Sequence, residues 1–197
     1  MKNNFYLFLL LFLIVLGCKP APVHFFSEKG YIKPYKVASS EKITFVLGDE
    51  ILNSFEVSGS GLKRMKVDDF RKSLELTLYY TFEESFKEVS FQNEVDNDNL
   101  TVVLYRIRPS WEIKSSSTSV VGVEGTTVSN NLHNVATLIR YDGIVLKNGV
   151  RVYALDNAVL SEKTSSSIKN WKETFKDAVK ILSGDIYRTI VTLEKEQ

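Results

Sequence analysis

Residues 68–89, DDFRKSLELTLYYTFEESFKEV, decide the fold. Within them Phe70, Leu74, Leu78, Phe82 and Phe86 recur every fourth residue, and Val89 continues the line. A spacing of four drifts slowly around a helix of 3.6 residues per turn, so the pattern predicts one helix with a slanted aromatic stripe that a sheet must cover. Asp68 or Asp69 is expected at its N-terminus, where capping and the macrodipole favour a carboxylate.

The flanking patterns are strand-like. Upstream, Ile43, Phe45 and Leu47 alternate with Thr44 and Val46, Gly48-Asp49 turns the chain, and Ile51 to Val57 returns, predicting two strands joined by a turn. Gly59-Ser60-Gly61 breaks that run. Downstream, Leu100 to Arg108 is the clearest strand, with Pro109 as its expected end. Trp111 to Val123 and Thr126 to Tyr141 read as extended, Asp142-Gly143 as a tight hairpin turn and Ile144 to Leu155 as the return, with Asn148-Gly149 as a competing turn. Ile168, Trp171, Phe175, Val179, Leu182, Ile186, Ile190 and Leu193 keep helical period to the end, and Gly184 is a point where that helix could kink or divide. The order of elements predicts an α+β fold, a mostly antiparallel sheet with two helices packed on one face.

The N-terminus has a different character. Lys2 precedes an apolar run of twelve residues, Phe5 to Leu16, closed by Gly17 and Cys18. A helix that short cannot cross roughly 30 Å of hydrocarbon, so the run reads as a signal-peptide core. Val15-Leu16-Gly17-Cys18 resembles the bacterial lipobox, in which a small residue precedes a cysteine that is acylated and becomes the new N-terminus. Cys18 is the chain's only cysteine, and lipid attachment there accounts for a thiol that would otherwise be unpaired in an exported protein. The expected organisation is a signal peptide over 1–17, a lipidated N-terminus and tether over 18–38, and a single α+β domain over 39–197. Pro20, Pro22 and Pro34 keep the tether extended. Phe25, Phe26, Tyr31 and Tyr35 suggest that part of it packs on the domain as an irregular strand.

Charge excludes some roles. Of 25 basic side chains only Lys2 precedes Cys18, and no acid does, leaving 24 basic and 24 acidic residues after cleavage. That balance argues against a nucleic-acid binder and against polybasic attachment to anionic lipid, so lipid on Cys18 is the expected link to the membrane.

The polar residues yield no catalytic constellation. His24 and His133 lie far apart with no cysteine between them, which is not a zinc signature, and His133 beside Asn131 and Asn134 reads as a surface or packed residue. Asp49-Glu50 fits a turn, Asp68-Asp69 a helix start and Glu83-Glu84 a solvated helix face. Glu94-Val95-Asp96-Asn97-Asp98-Asn99 has oxygen ligands for calcium but lacks the glycine and distal glutamate of an EF-hand, so a solvated connector is the better reading. Gly59-Ser60-Gly61-Leu62-Lys63-Arg64 has the ingredients of a phosphate cradle but is not a Walker loop. No catalytic, cofactor-binding or metal-binding residue is assigned, and no cofactor is expected.

The lipobox, the helix beginning Val67-Asp68-Asp69-Phe70-Arg71-Lys72-Ser73-Leu74, the strand Leu100-Thr101-Val102-Val103-Leu104, the hairpin around Asp142-Gly143 and the closing helix together resemble small envelope lipoproteins of the YajG and LptE kind. The likeness is one of element order and length across most of the chain after Cys18. It implies a noncatalytic, periplasm-facing lipoprotein acting as a structural or adaptor subunit for another envelope protein. The alternative is a binding module for lipid or glycan, which would need a deep cavity or an exposed row of aromatics. Lys19 after the cysteine is not the aspartate that resembles an inner-membrane retention signal, which favours the outer membrane. The seventeen residues from Ser115 to Asn131 carry one charge, Glu124, and lack the lysines and prolines that guard a sheet edge. They are expected to be a mobile loop, an internal hairpin or an edge open to a partner strand.

Overall fold

The computed structural model describes residues 23–24, 39–57, 65–121, 127–165 and 170–195. Cys18, the predicted signal peptide, most of the tether and the loop Gly59-Ser60-Gly61-Leu62-Lys63-Arg64 lie outside the described residues. The strands are β1 (Val23–His24), β2 (Ser39–Leu47), β3 (Phe55–Val57), β4 (Met65–Asp68), β5 (Phe86–Gln92), β6 (Leu100–Val121), β7 (Thr127–Lys147) and β8 (Val150–Ser165). Helix α1 (Phe70–Phe82) lies between β4 and β5, and α2 (Trp171–Lys195) closes the chain.

The fold is α+β, but its main sheet is mixed rather than mostly antiparallel. The order is β5-β2-β6-β7-β8, with β2 parallel to both of its neighbours and the β6-β7-β8 meander antiparallel. The cause is α1, which carries the chain back so that β5 starts from the same end as β2. For the same reason Ile51 to Val57 does not return along β2. Its Phe55–Val57 portion pairs antiparallel with β4 in a small second sheet, β1-β4-β3, where Val23 and His24 add a parallel strand.

Helix α1 ends at Phe82, short of the predicted Phe86 and Val89. The Ser85 amide closes a turn on the Phe82 carbonyl at 2.9 Å, and Ser85 Oγ lies 2.6 Å from Tyr187 Oη in the core. Phe86 and Phe82 share the fourfold spacing and both reach the core, from different elements. Asp69 stands at the N-cap position with φ 58°, in the left-handed region, and its carboxylate makes no capping bond. Asp68 instead pairs with Lys66 at 3.0 Å. Arg71, in the first turn, donates to the Leu47 carbonyl at 2.9 Å and the Gly48 carbonyl at 3.3 Å, which ties α1 to the end of β2.

Both helices share one apolar cluster with Ile43, Phe45, Leu47, Val102 and Leu104, so they cover the same face of the sheet. α2 runs unbroken through the buried Gly184. It is pinned where Asp185 Oδ2 accepts from Tyr141 Oη at 2.6 Å and Asn157 Nδ2 at 2.7 Å. Burial and then the bond to Asp185 push the Tyr141 phenol well above its ordinary range, so it stays a donor.

Two punctuation marks behave differently from expectation. Pro109 does not end β6, which continues to Val121. β2 pairs with β6 only as far as Leu104, and beyond that point β6 has an outer edge on which a residue without an N–H costs no ladder bond. Asp142-Gly143 is not a turn but lies inside β7, opposite an irregularity in β6 between Leu104 and Arg106. The turn is the competing Asn148-Gly149, with φ of 51° and 74°, the positive pair that a two-residue hairpin needs.

Candidate functional site

Two features of the fold remain once the core is accounted for. The first is a ribbon. β6 and β7 stay paired from Ser116 opposite Leu132 to Val121 opposite Thr127, six pairs beyond the point where β8 stops at Ser165 opposite His133. At about 3.3 Å per residue the two strands run on together for roughly 20 Å. This is the internal hairpin among the readings of Ser115 to Asn131. The central residues 122–126, including Glu124, are outside the described residues. Each strand spends one edge on the other, and among the described residues the outer edges of this stretch have no neighbouring strand. At its root His133 Nδ1 lies 2.8 Å from Ser115 Oγ, directly across the ladder. Among the described residues no carboxylate hydrogen-bonds this imidazole. The pair therefore has the geometry of a cross-strand contact and not of an oriented base.

The second feature is a shallow depression of about 650 Å³ on the sheet face opposite the helices. The irregularity at Tyr105 leaves one residue of β6 unpaired, re-aims the side chains after it and opens the surface. Arg106 faces Asp142 and sends Nε to both carboxylate oxygens, at 3.0 and 3.1 Å. Two pairs further, on the same face, Arg108 stands directly opposite Arg140. Arg151 and Asp156 reach the same depression from β8. None of these arginines was singled out in the sequence, because Arg106 and Arg108 lie more than thirty residues from Arg140 and Arg151 and only the three-strand register gathers them.

The acidic loop has a structural task. β5 and β6 are parallel and flank β2, so residues 93–99 must cross over β2 to join them. A parallel crossover usually takes a dozen or more residues. Seven suffice here because Gln92 is opposite Val46 and Leu100 opposite Ile43, which leaves only about 10 Å to recover. Asp96 holds the crossing. Its carboxylate accepts from Asn99 Nδ2 at 2.8 Å and the Asp98 amide at 3.0 Å, and its carbonyl accepts from Thr101 Oγ1 at 2.9 Å. Those carboxylate oxygens are engaged by protein donors and not arranged around a cation.

The Asn99 bond first, and the Asp98 amide next, hold the Asp96 carboxyl below its ordinary value. A depressed folded pKa stabilises the fold above the unfolded value of about 3.9, and that contribution is lost as pH falls through the folded value. An NMR titration is expected to place the Asp96 midpoint below about 3.9, with faster amide exchange over 93–99 at lower pH. A midpoint at or above the unfolded value would show that the crossing is held otherwise.

Among the described residues no helix is long and apolar enough to cross a membrane. No protein-family model and no curated protein sequence matches the chain. Among solved structures it is similar to a Xanthomonas campestris protein of the DUF330 family, at 9% identity and a TM-score of 0.51, over 88% of this chain and 98% of that one. It is also similar to a minor lipoprotein of Acinetobacter baumannii, at 13% identity and a TM-score of 0.41, over 79% of this chain and 94% of that one. At such an identity the likeness to the first of these is one of fold.

Proposed function

We propose that this chain is a noncatalytic lipoprotein of the bacterial cell envelope whose folded part binds another envelope protein as a structural or adaptor subunit. Lipid on Cys18 is the anchor, and the outer membrane facing the periplasm is the proposed location. The observation that carries the reading is the lipobox Val15-Leu16-Gly17-Cys18 behind an apolar run too short to span, with the chain's only cysteine at the cleavage position. The ribbon is the proposed contact, because its outer edges offer backbone groups to an extended partner segment and Ser115 to Asn131 carry almost no guarding charge. The depression on the opposite face is open and bears arginines and aspartates, which suits an acyl chain poorly.

Cys18→Ala is expected to remove lipid attachment, so that the protein either stays uncleaved or leaves the membrane fraction. Unchanged membrane fractionation after detergent-free washing would overturn the anchor. For the adaptor role, the lipidated protein is purified from its own membrane beside a variant in which residues 116–132 are replaced by an Asn-Gly turn, which keeps Ser115 opposite His133. The expected result is an envelope protein that accompanies the intact chain and is lost with the ribbon. Equal recovery with both chains would remove the ribbon as the contact.

A further inference from the structure

We propose that Arg106, Arg108, Arg140 and Arg151 form a binding site for a phosphate-bearing ligand on the open face of the sheet. Arg108 and Arg140 are direct cross-strand partners, and like charges in that relation oppose pairing. A guanidinium cannot lose its proton in a protein, so the conflict persists at every physiological pH. Among the described residues neither side chain has an ion pair or hydrogen bond, and the same is true of Arg151.

The acids nearby do not resolve it. Asp142 is engaged by Arg106, which fixes the plane of that guanidinium while leaving its terminal nitrogens available. Asp156 lies on the next strand opposite Asp142, one row away from Arg108 and Arg140. Four arginines and two aspartates leave two positive charges in one depression, in a chain whose formal net charge is only +1. A tetrahedral oxyanion has both the charge and the oxygens to bridge facing guanidinium forks. The neighbouring surface supplied by Ile144 and Ala154 gives room for the organic part of a phosphate ester. A lipid headgroup and a soluble phosphate share this chemistry. The inference does not depend on the adaptor reading, since it would stand if the ribbon bound nothing.

The test uses the full lipidated chain in dodecyl maltoside, at constant ionic strength set with chloride. Inorganic phosphate, glycerol phosphate and dihexanoylphosphatidylglycerol below its micellar concentration are titrated separately, followed by arginine side-chain NMR and by thermal midpoint. Saturable shifts of the Arg108 and Arg140 signals with a raised midpoint are expected. The response to the two small phosphates would assign a soluble ligand, and a response confined to the short-chain lipid would assign a headgroup. Arg108→Ala with Arg140→Ala is expected to weaken binding by about tenfold or more. Without ligand, that double variant should unfold at the same temperature as the parent or higher, because the like-charge pair is gone. No saturable response to any of the three, or equal binding by the double variant, would overturn the proposal. Binding of a glutamate-rich peptide without any phosphate response would likewise overturn it and reassign the arginines to a protein surface.

Discussion

Gly143→Ala is expected to destabilise the fold by about 3 kcal/mol or more, although it adds one methyl group. A Cβ at this position would lie 2.1 Å from the Val103 carbonyl oxygen and 3.2 Å from the Leu104 Cα, both backbone atoms of the neighbouring strand. No side chain can swing aside, so β6 and β7 must separate just where β6 is irregular and where Arg106 meets Asp142. In a protein of this size the loss corresponds to a fall in the thermal midpoint of roughly 6–12 °C. Gly149→Ala, at a positive φ in an exposed turn, provides the comparison and is expected to cost only about 1 kcal/mol. Urea unfolding of the two variants decides it, and a Gly143 variant no weaker than the turn variant would show that the strands give way more easily than the close approach implies.

Phe175→Ala is the second large loss, about 3–5 kcal/mol. Phe175 is fully buried on α2, and its ring lies 5.0 Å from Trp111 on β6, 5.9 Å from Phe70 at the start of α1 and 6.3 Å from Phe55 on β3. Removing it empties the junction of both helices with both sheets, and a junction tied to four elements cannot close over the space by moving one of them. Phe175→Leu keeps most of the volume and should lose distinctly less. A loss under about 1.5 kcal/mol for the alanine variant would mean that the junction collapses after all.

Legibility differed by element for physical reasons. α2 was readable because its apolar residues keep helical period through Gly184; Trp171, Phe175, Val179, Leu182, Ile186 and Ile190 are buried as that period predicts, Leu193 is partly buried, and Ile168 lies outside the described residues. α1 was readable at its start and not at its end. Phe82 and Phe86 are both core residues four apart, and a periodicity argument cannot see that Ser85 turns the chain between them. Asp142-Gly143 misled because glycine serves two purposes, positive φ in a turn and absence of a Cβ in a close approach, and only the neighbouring strand distinguishes them. The parallel pairing of β2 had no local signature, since alternation along a strand says nothing of its partners' direction. The arginine cluster was illegible for a related reason: Arg108 and Arg140 belong together only through the β6-β7 register.

The position of β2 also dictates an order of assembly. β6, β7 and β8 follow one another in sequence, so each of their pairings closes over a short turn or hairpin, and the meander can form as soon as it exists. β2 must wait, because Ile43 is opposite Val89 on one side and Leu100 on the other, partners made long after it. Contacts at that separation slow folding. Until they form, Ile43, Phe45 and Leu47 belong to an apolar strand with two bare edges, the kind of segment that pairs with the wrong chain. Synthesised from its N-terminus, the protein makes an interior strand of its main sheet first and can enclose it only after β5 and β6 have arrived.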